Sequence, residues 1–148
     1  MIWILSIASM VLGGMTYVLW RPESLTMFSW FSALGGGDVV TEMRGWAAPF
    51  SEVLPSWVYL SLPQSLWLFS GCLAIHALWK DSRGRQQRCW TAVIFSLALG
   101  GELGQAAGLV PGVFDPLDLA LILAALGAAQ VIAAAAAGNT CLRAGAMS

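Results

Sequence analysis

Glu102-Leu103-Gly104-Gln105 lies inside a long apolar stretch, and Phe114-Asp115-Pro116-Leu117-Asp118 follows it after a short break. At spacing i, i+3, Glu102 and Gln105 share one helix face. A carboxylate within a membrane helix is costly enough to mark a functional position. Two chemistries suit the group. Glu102 can serve as a general acid or base while Asp115 and Asp118 hold a cation or a hydroxylated headgroup. Alternatively, Glu102 is a structural clasp, a neutral carboxyl hydrogen-bonded to Gln105 or Gln64. Capping competes with function at the other two acids. Asp115 suits the N-cap of the next helix, Pro116 its first position, and Asp118 the positive end of its dipole.

Counting from the helix ends at about 1.5 Å per residue puts Glu102 roughly 12 Å and Gln64 about 10 Å below one membrane boundary. Gly13-Gly14 reaches the same level on the first helix, with Thr16 and Tyr17 just above. Pro63, beside Gln64, removes a helix hydrogen bond and frees a carbonyl toward that level. His76 lies near the opposite end of its helix, which excludes an acid/base pair with Glu102. Cys72-Leu73-Ala74-Ile75-His76 has a small-x-x-x-His spacing that leaves room for a flat porphyrin or chlorophyll ring. The other reading of His76 is an interfacial or helix-bonding side chain. Cys72, Cys89 and Cys141 have no metal-ligand spacing and are expected as packing or surface thiols. No metal site and no resident cofactor is expected. No activated Ser, Cys or His nucleophile stands at the depth of Glu102.

The elements that must position these groups follow from composition. Of 148 residues, 58% are hydrophobic and 10% are charged, with a mean hydropathy of +0.74. A water-soluble fold of this size cannot hide that much apolar surface. The net charge of -1 supplies no basic field for nucleic acid. Four stretches reach spanning length, at residues 2–20, 57–79, 89–109 and 117–137, and none alternates as a strand. The expected fold is therefore all-α, a single four-helix transmembrane domain. The first stretch lacks a basic n-region and a cleavage site before Arg21-Pro22-Glu23, so it is read as a retained helix.

Charge sets the orientation. The connection 80–88 carries four cations against one anion, whereas 21–56 carries Arg21 and Arg44 against Glu23, Asp38, Glu42 and Glu52. The positive-inside rule places the first connection and both termini in the cytoplasm, and seven of the eight acids, all but Asp81, on or toward the outer side. Within the outer loop 21–56, Leu25, Phe28, Phe31 and Leu34 repeat every three residues, which predicts an amphipathic interfacial helix over 22–34 ended by Gly35-Gly36-Gly37. A second short helix is expected from Asp38 as N-cap toward Trp46.

The run from Gly101-Glu102-Leu103-Gly104-Gln105 through Gly112-Val113-Phe114-Asp115-Pro116-Leu117-Asp118 to Gly127 resembles the VanZ-like family of small bacterial membrane proteins. That family has Glu-x-x-Gln in one helix, an aromatic-Asp-x-x-Asp turn opening the next, and a glycine further on. Leu62-Pro63-Gln64-Ser65-Leu66-Trp67 is similar to the family's Pro-led helix. The sequence departs from the pattern at Val113, where the family has an arginine nearby, and near Ile122, where it has an asparagine. The resemblance implies a multi-pass bacterial inner-membrane protein, in a family named after a member linked to glycopeptide-antibiotic resistance. An envelope-lipid enzyme or carrier using the outer-face acids is one function it allows.

The other reading is a non-catalytic accessory subunit. Gly100, Gly104 and Gly108 repeat at i, i+4, i+8, on a face well away from Glu102 and Gln105, and such a row favours close helix packing. If Glu102 faces the bundle interior, the glycine row is free for a partner in a larger membrane complex or for another copy of the chain. Membrane lipids are the other expected partners. Among these readings the sequence favours a binding or accessory subunit of a membrane or envelope complex.

Overall fold

The computed structural model describes residues 1–23, 25–80 and 84–145, with side chains through residue 137. Every regular element among them is helical: α1 (Ile2–Trp20), α2 (Thr26–Ala33), α3 (Gly37–Ala47), a 3-10 turn (Ala48–Glu52), α4 (Ser56–Leu60), α5 (Leu62–Leu78), α6 (Arg85–Ala106) and α7 (Pro116–Gly145). Two helices, α1 and the 116–137 part of α7, are long and apolar enough to cross a membrane; α5 is apolar but shorter.

The helix expected over 57–79 is two helices. Its backbone breaks at Ser61 because Pro63 has no N–H to continue a ladder, yet is well suited to the first turn of a new helix. Arg21 at the end of α1 reaches the break and donates Nη2–H to the Leu60 carbonyl at 2.7 Å. The Leu60 carbonyl is thereby satisfied from α1. The helix expected over 89–109 begins earlier, at Arg85, and stops at Ala106. Gly108 stops it. Its φ of +69° lets Leu109 N–H reach the Gly104 carbonyl at 2.8 Å and Gly108 N–H the Gln105 carbonyl at 3.0 Å, a left-handed glycine closure of the helix end.

The central helix is α5, which packs against α1, α6 and α7. Along the seam with α1, Ser6 Oγ donates to the Ser70 carbonyl at 2.9 Å, and Ser70 Oγ donates back to the Ser6 carbonyl at 2.8 Å. Toward the other end of that seam a Cβ at Gly13 would lie 2.9 Å from the Trp67 ring, so only glycine admits the indole. The opposite face of α5 makes the core, where Leu68, Cys72 and Leu73 meet Ile122 and Ala129 of α7, with Ile94 and Phe95 of α6 packed alongside.

Beside this core several polar side chains are buried, while many large apolar ones face outward. Ser6, Ser65, Ser70, His76, Gln87 and Glu102 are buried, whereas Ile4, Ile7, Leu97 and Val131 are largely exposed.

The segment between α1 and α4 folds over the Trp20 end of α1. Gly35, at φ +78°, ends α2, and Phe28 is its buried contact while Trp30 is exposed. The N-cap of α3 is Gly36, not Asp38, which falls in the first turn where its charge still favours the dipole. Arg44 fastens the hairpin: it donates to the Val18 carbonyl at 2.7 Å, pairs with Glu23 at 3.3 Å and lies over the Phe28 ring. Trp20 Nε1–H adds a bond to the Ala47 carbonyl at 3.1 Å.

Candidate functional site

Three helices bring the acids and one amide together. The C-terminal turn of α6 carries Glu102, the first turn of α5 carries Gln64, and the first turn of α7 carries Asp118. Glu102 is only 1% exposed. The Gln64 side chain lies near enough to interact with the Glu102 carboxylate, and Asp118 and, more weakly, Asp115 are within electrostatic reach. One oxygen on each of two acids is left over. Glu102 Oε2 and Asp118 Oδ1 are both buried and have no hydrogen-bond partner among the described residues. Unmet acceptors of this kind are costly, so a hydrogen-bond donor at either oxygen would be stabilising.

Gln105 and Asp115 take other roles. The amide of Gln105 leaves Glu102 and packs against the loop at Gly112, where a Cβ would come within 2.7 Å of it. Asp115 is exposed and accepts a hydrogen bond from Leu117 N–H at 2.9 Å, the bond of an N-cap. Thr16 donates to the Leu12 and Gly13 carbonyls of its own helix, and Tyr17 packs on Trp67, so neither enters the site. Among the described residues no three His, Cys, Asp or Glu side chains are grouped to hold a metal ion. Ser65, near Gln64 on α5, donates its hydroxyl to the Leu62 carbonyl at 2.9 Å.

The glycine row does not form one helical stripe. Gly108 lies beyond the end of α6, and a Cβ at Gly104 would strike Val110 Cγ2 at 2.7 Å, so Gly104 is covered by the loop that follows. A Cβ at Gly100 or at Gly108 would meet nothing within 4 Å, but of the two only Gly100 does so from within α6.

His76 lies at the other end of α5, where its Nδ1 is hydrogen-bonded to the side-chain amide of Gln87 at the start of α6. Gln87 and Glu102 are about four turns apart on one helix, which keeps the histidine and the carboxylate in separate environments. Cys72, one turn before His76, is fully buried in the core, so the slot a flat ring would need on that side is filled. Cys89 is exposed. Cys141, Arg143, Asp81 and Arg83, on which part of the charge reading rests, lie outside the described side chains.

Gln87 and Thr91 were not legible as site residues. They stand at i, i+4 at the start of α6, beside a basic connection, and that spacing was the available signal. No protein-family model, curated protein or solved structure matches this chain.

Proposed function

We propose that this chain is a small four-span bacterial inner-membrane protein of VanZ-like type. In this reading it acts as a non-catalytic binding or accessory subunit, and the recess at Glu102 is its outer-face site. The observation that carries the reading is the buried Glu102 carboxylate, approached by Gln64 and faced by Asp118, with one acceptor oxygen on each acid unmet. In a low-dielectric surrounding two such acceptors favour a cationic or multiply hydroxylated group. A binding role is favoured because the Ser65 hydroxyl, next to Gln64 in the chain, donates its proton to its own helix and is not activated as a nucleophile.

The spanning reading is supported by the many large apolar side chains exposed on the outside of a bundle that buries polar ones, which a water-facing protein of this size would not sustain. It is also supported by tryptophans at both ends of the bundle, with Trp30, Trp46 and Trp57 at one and Trp90 at the other, as at headgroup boundaries. In this arrangement α1, α4 with α5, α6 and α7 are the four spans, α2 and α3 lie at the outer interface, and both termini are cytoplasmic.

The test is purification of the full chain in mild detergent with mass spectrometry of what accompanies it. A stoichiometric protein or ligand retained by the wild type and lost from Glu102→Gln at unchanged membrane abundance is the expected result. Equal retention by Glu102→Gln would remove the site.

A further inference from the structure

A cavity of about 470 Å³ opens between α6 and α7 at the end away from Glu102, with His76 of α5 on its wall. That size falls within the range of about 300 to 1,000 Å³ typical of small-molecule sites. It exists because α7 is alanine-rich there: Ala133 and Ala134 leave open the space a larger residue would fill. Phe95 and Leu126 give it apolar walls, and Gln87, Arg88 and Thr91 place polar groups along the first two turns of α6.

Two independent features specify what would enter. Thr91 is 9% exposed, and its Oγ1 has no hydrogen-bond partner among the described residues although it borders an open space. Arg88 supplies a cation at the same wall, none of the lining residues is acidic, and the Gly84 N-cap offers the start of α6 no side-chain acceptor. The positive end of the helix dipole adds to Arg88. A cation and a hydroxyl beside an apolar cleft between two helices match an amphiphile with an anionic head and a hydrocarbon tail.

We propose that this cavity binds a phospholipid whose headgroup carries a net negative charge, its phosphate against Arg88 and Thr91 and its acyl chain between Phe95 and Leu126. The phosphate chemistry is shared with the free ion, but inorganic phosphate would leave the apolar walls unfilled. The proposal rests on the membrane-spanning reading, and it is independent of the recess at Glu102. Resistance of the chain to carbonate extraction from membranes reports on spanning alone, so the two can fail separately.

The experiment is thermal unfolding of the full chain in mild detergent with added phosphatidylglycerol, phosphatidylcholine or inorganic phosphate. Phosphatidylglycerol should raise Tm, because it binds only the folded chain, while the other two should not. Arg88→Gln should weaken the phosphatidylglycerol effect roughly tenfold in concentration, since it removes a charge-assisted contact. Thr91→Val should weaken it about threefold while raising Tm without lipid, a combination that a purely structural threonine would not give. Ala134→Leu should abolish the lipid effect by filling the cavity, and Arg85→Gln, off the cavity wall, should leave it within about twofold. Equal stabilisation by phosphatidylcholine or by inorganic phosphate would overturn the proposal. So would equal losses in Arg85→Gln and Arg88→Gln, which would mark diffuse attraction to a basic surface.

Discussion

The two ends of the bundle use the same parts differently. At each, a glutamine amide lies beside a titratable side chain, Gln64 at Glu102 and Gln87 at His76, and at each a buried oxygen on α6 has no partner among the described residues. At the Glu102 end α7 presents Asp118 and, one turn on, the fully buried Ile122. At the His76 end it presents alanines, and a cavity remains. The difference lies in what α7 brings to each end of α6, an acid and a large core residue at one and small residues at the other.

The largest expected effect comes from truncating the core residue Ile122, one turn from Asp118. Ile122→Ala should cost about 2 to 5 kcal/mol of stability, as large-to-small core changes do. It should also open the Glu102 end so that the two ends become alike. The check is Tm in detergent together with solvent access to a cysteine placed at Gln64. A loss well under 1 kcal/mol would mean that the packing of Ile122 on α5 is not what distinguishes this end.

The independence of the ends is the next point to press. Gln64→Leu and Gln87→Leu should each cost about 1 to 3 kcal/mol, because each strips a buried polar group of its amide partner. The sites share α5 and α6 but no side chain, so the double variant should equal the sum within about 0.5 kcal/mol. Chemical or thermal unfolding of the four proteins measures this. A larger interaction would join the two ends into one network.

The smallest effect separates geometry from charge at Asp115. Asp115→Ala should cost about 0.5 to 1 kcal/mol through the lost bond to Leu117 N–H, whereas Asp115→Asn should cost almost nothing, since the amide oxygen still accepts. Ligand or partner retention should follow stability here, in contrast to Glu102→Gln. Loss of retention in Asp115→Asn at full stability would return Asp115 to the binding site.

Much of this architecture was legible from local rules. The helix starting at Pro116 with Asp115 as cap needed only the order Asp-Pro and the apolar run after it, and it forms with that cap. The break at Ser61 was half legible: Pro63 signalled a lost hydrogen bond, but the Leu60 carbonyl beside the break is met by Arg21 of α1, a contact between residues distant in sequence. The stripe through Gly108 misled because i, i+4, i+8 spacing assumes an unbroken helix, and a glycine two residues past the last turn is just where a helix closes. Gln105 misled for a related reason. It shares a face with Glu102 on paper, but Gly112 offers its amide a closer berth in the loop.

By itself the sequence determined what each segment can be. Apolar length made the helices, proline and glycine ended them, and an isolated carboxylate in an apolar run marked Glu102, because these depend on residues within a few positions of one another. Only the tertiary structure decided which groups share an environment. That Gln64 rather than Gln105 approaches Glu102, that Asp118 faces it while Asp115 caps, and that His76 meets Gln87 beside an open cavity are all consequences of how α5, α6 and α7 pack. Such pairings are set by side-chain volume across helix seams, and volume acts only once the helices are in contact.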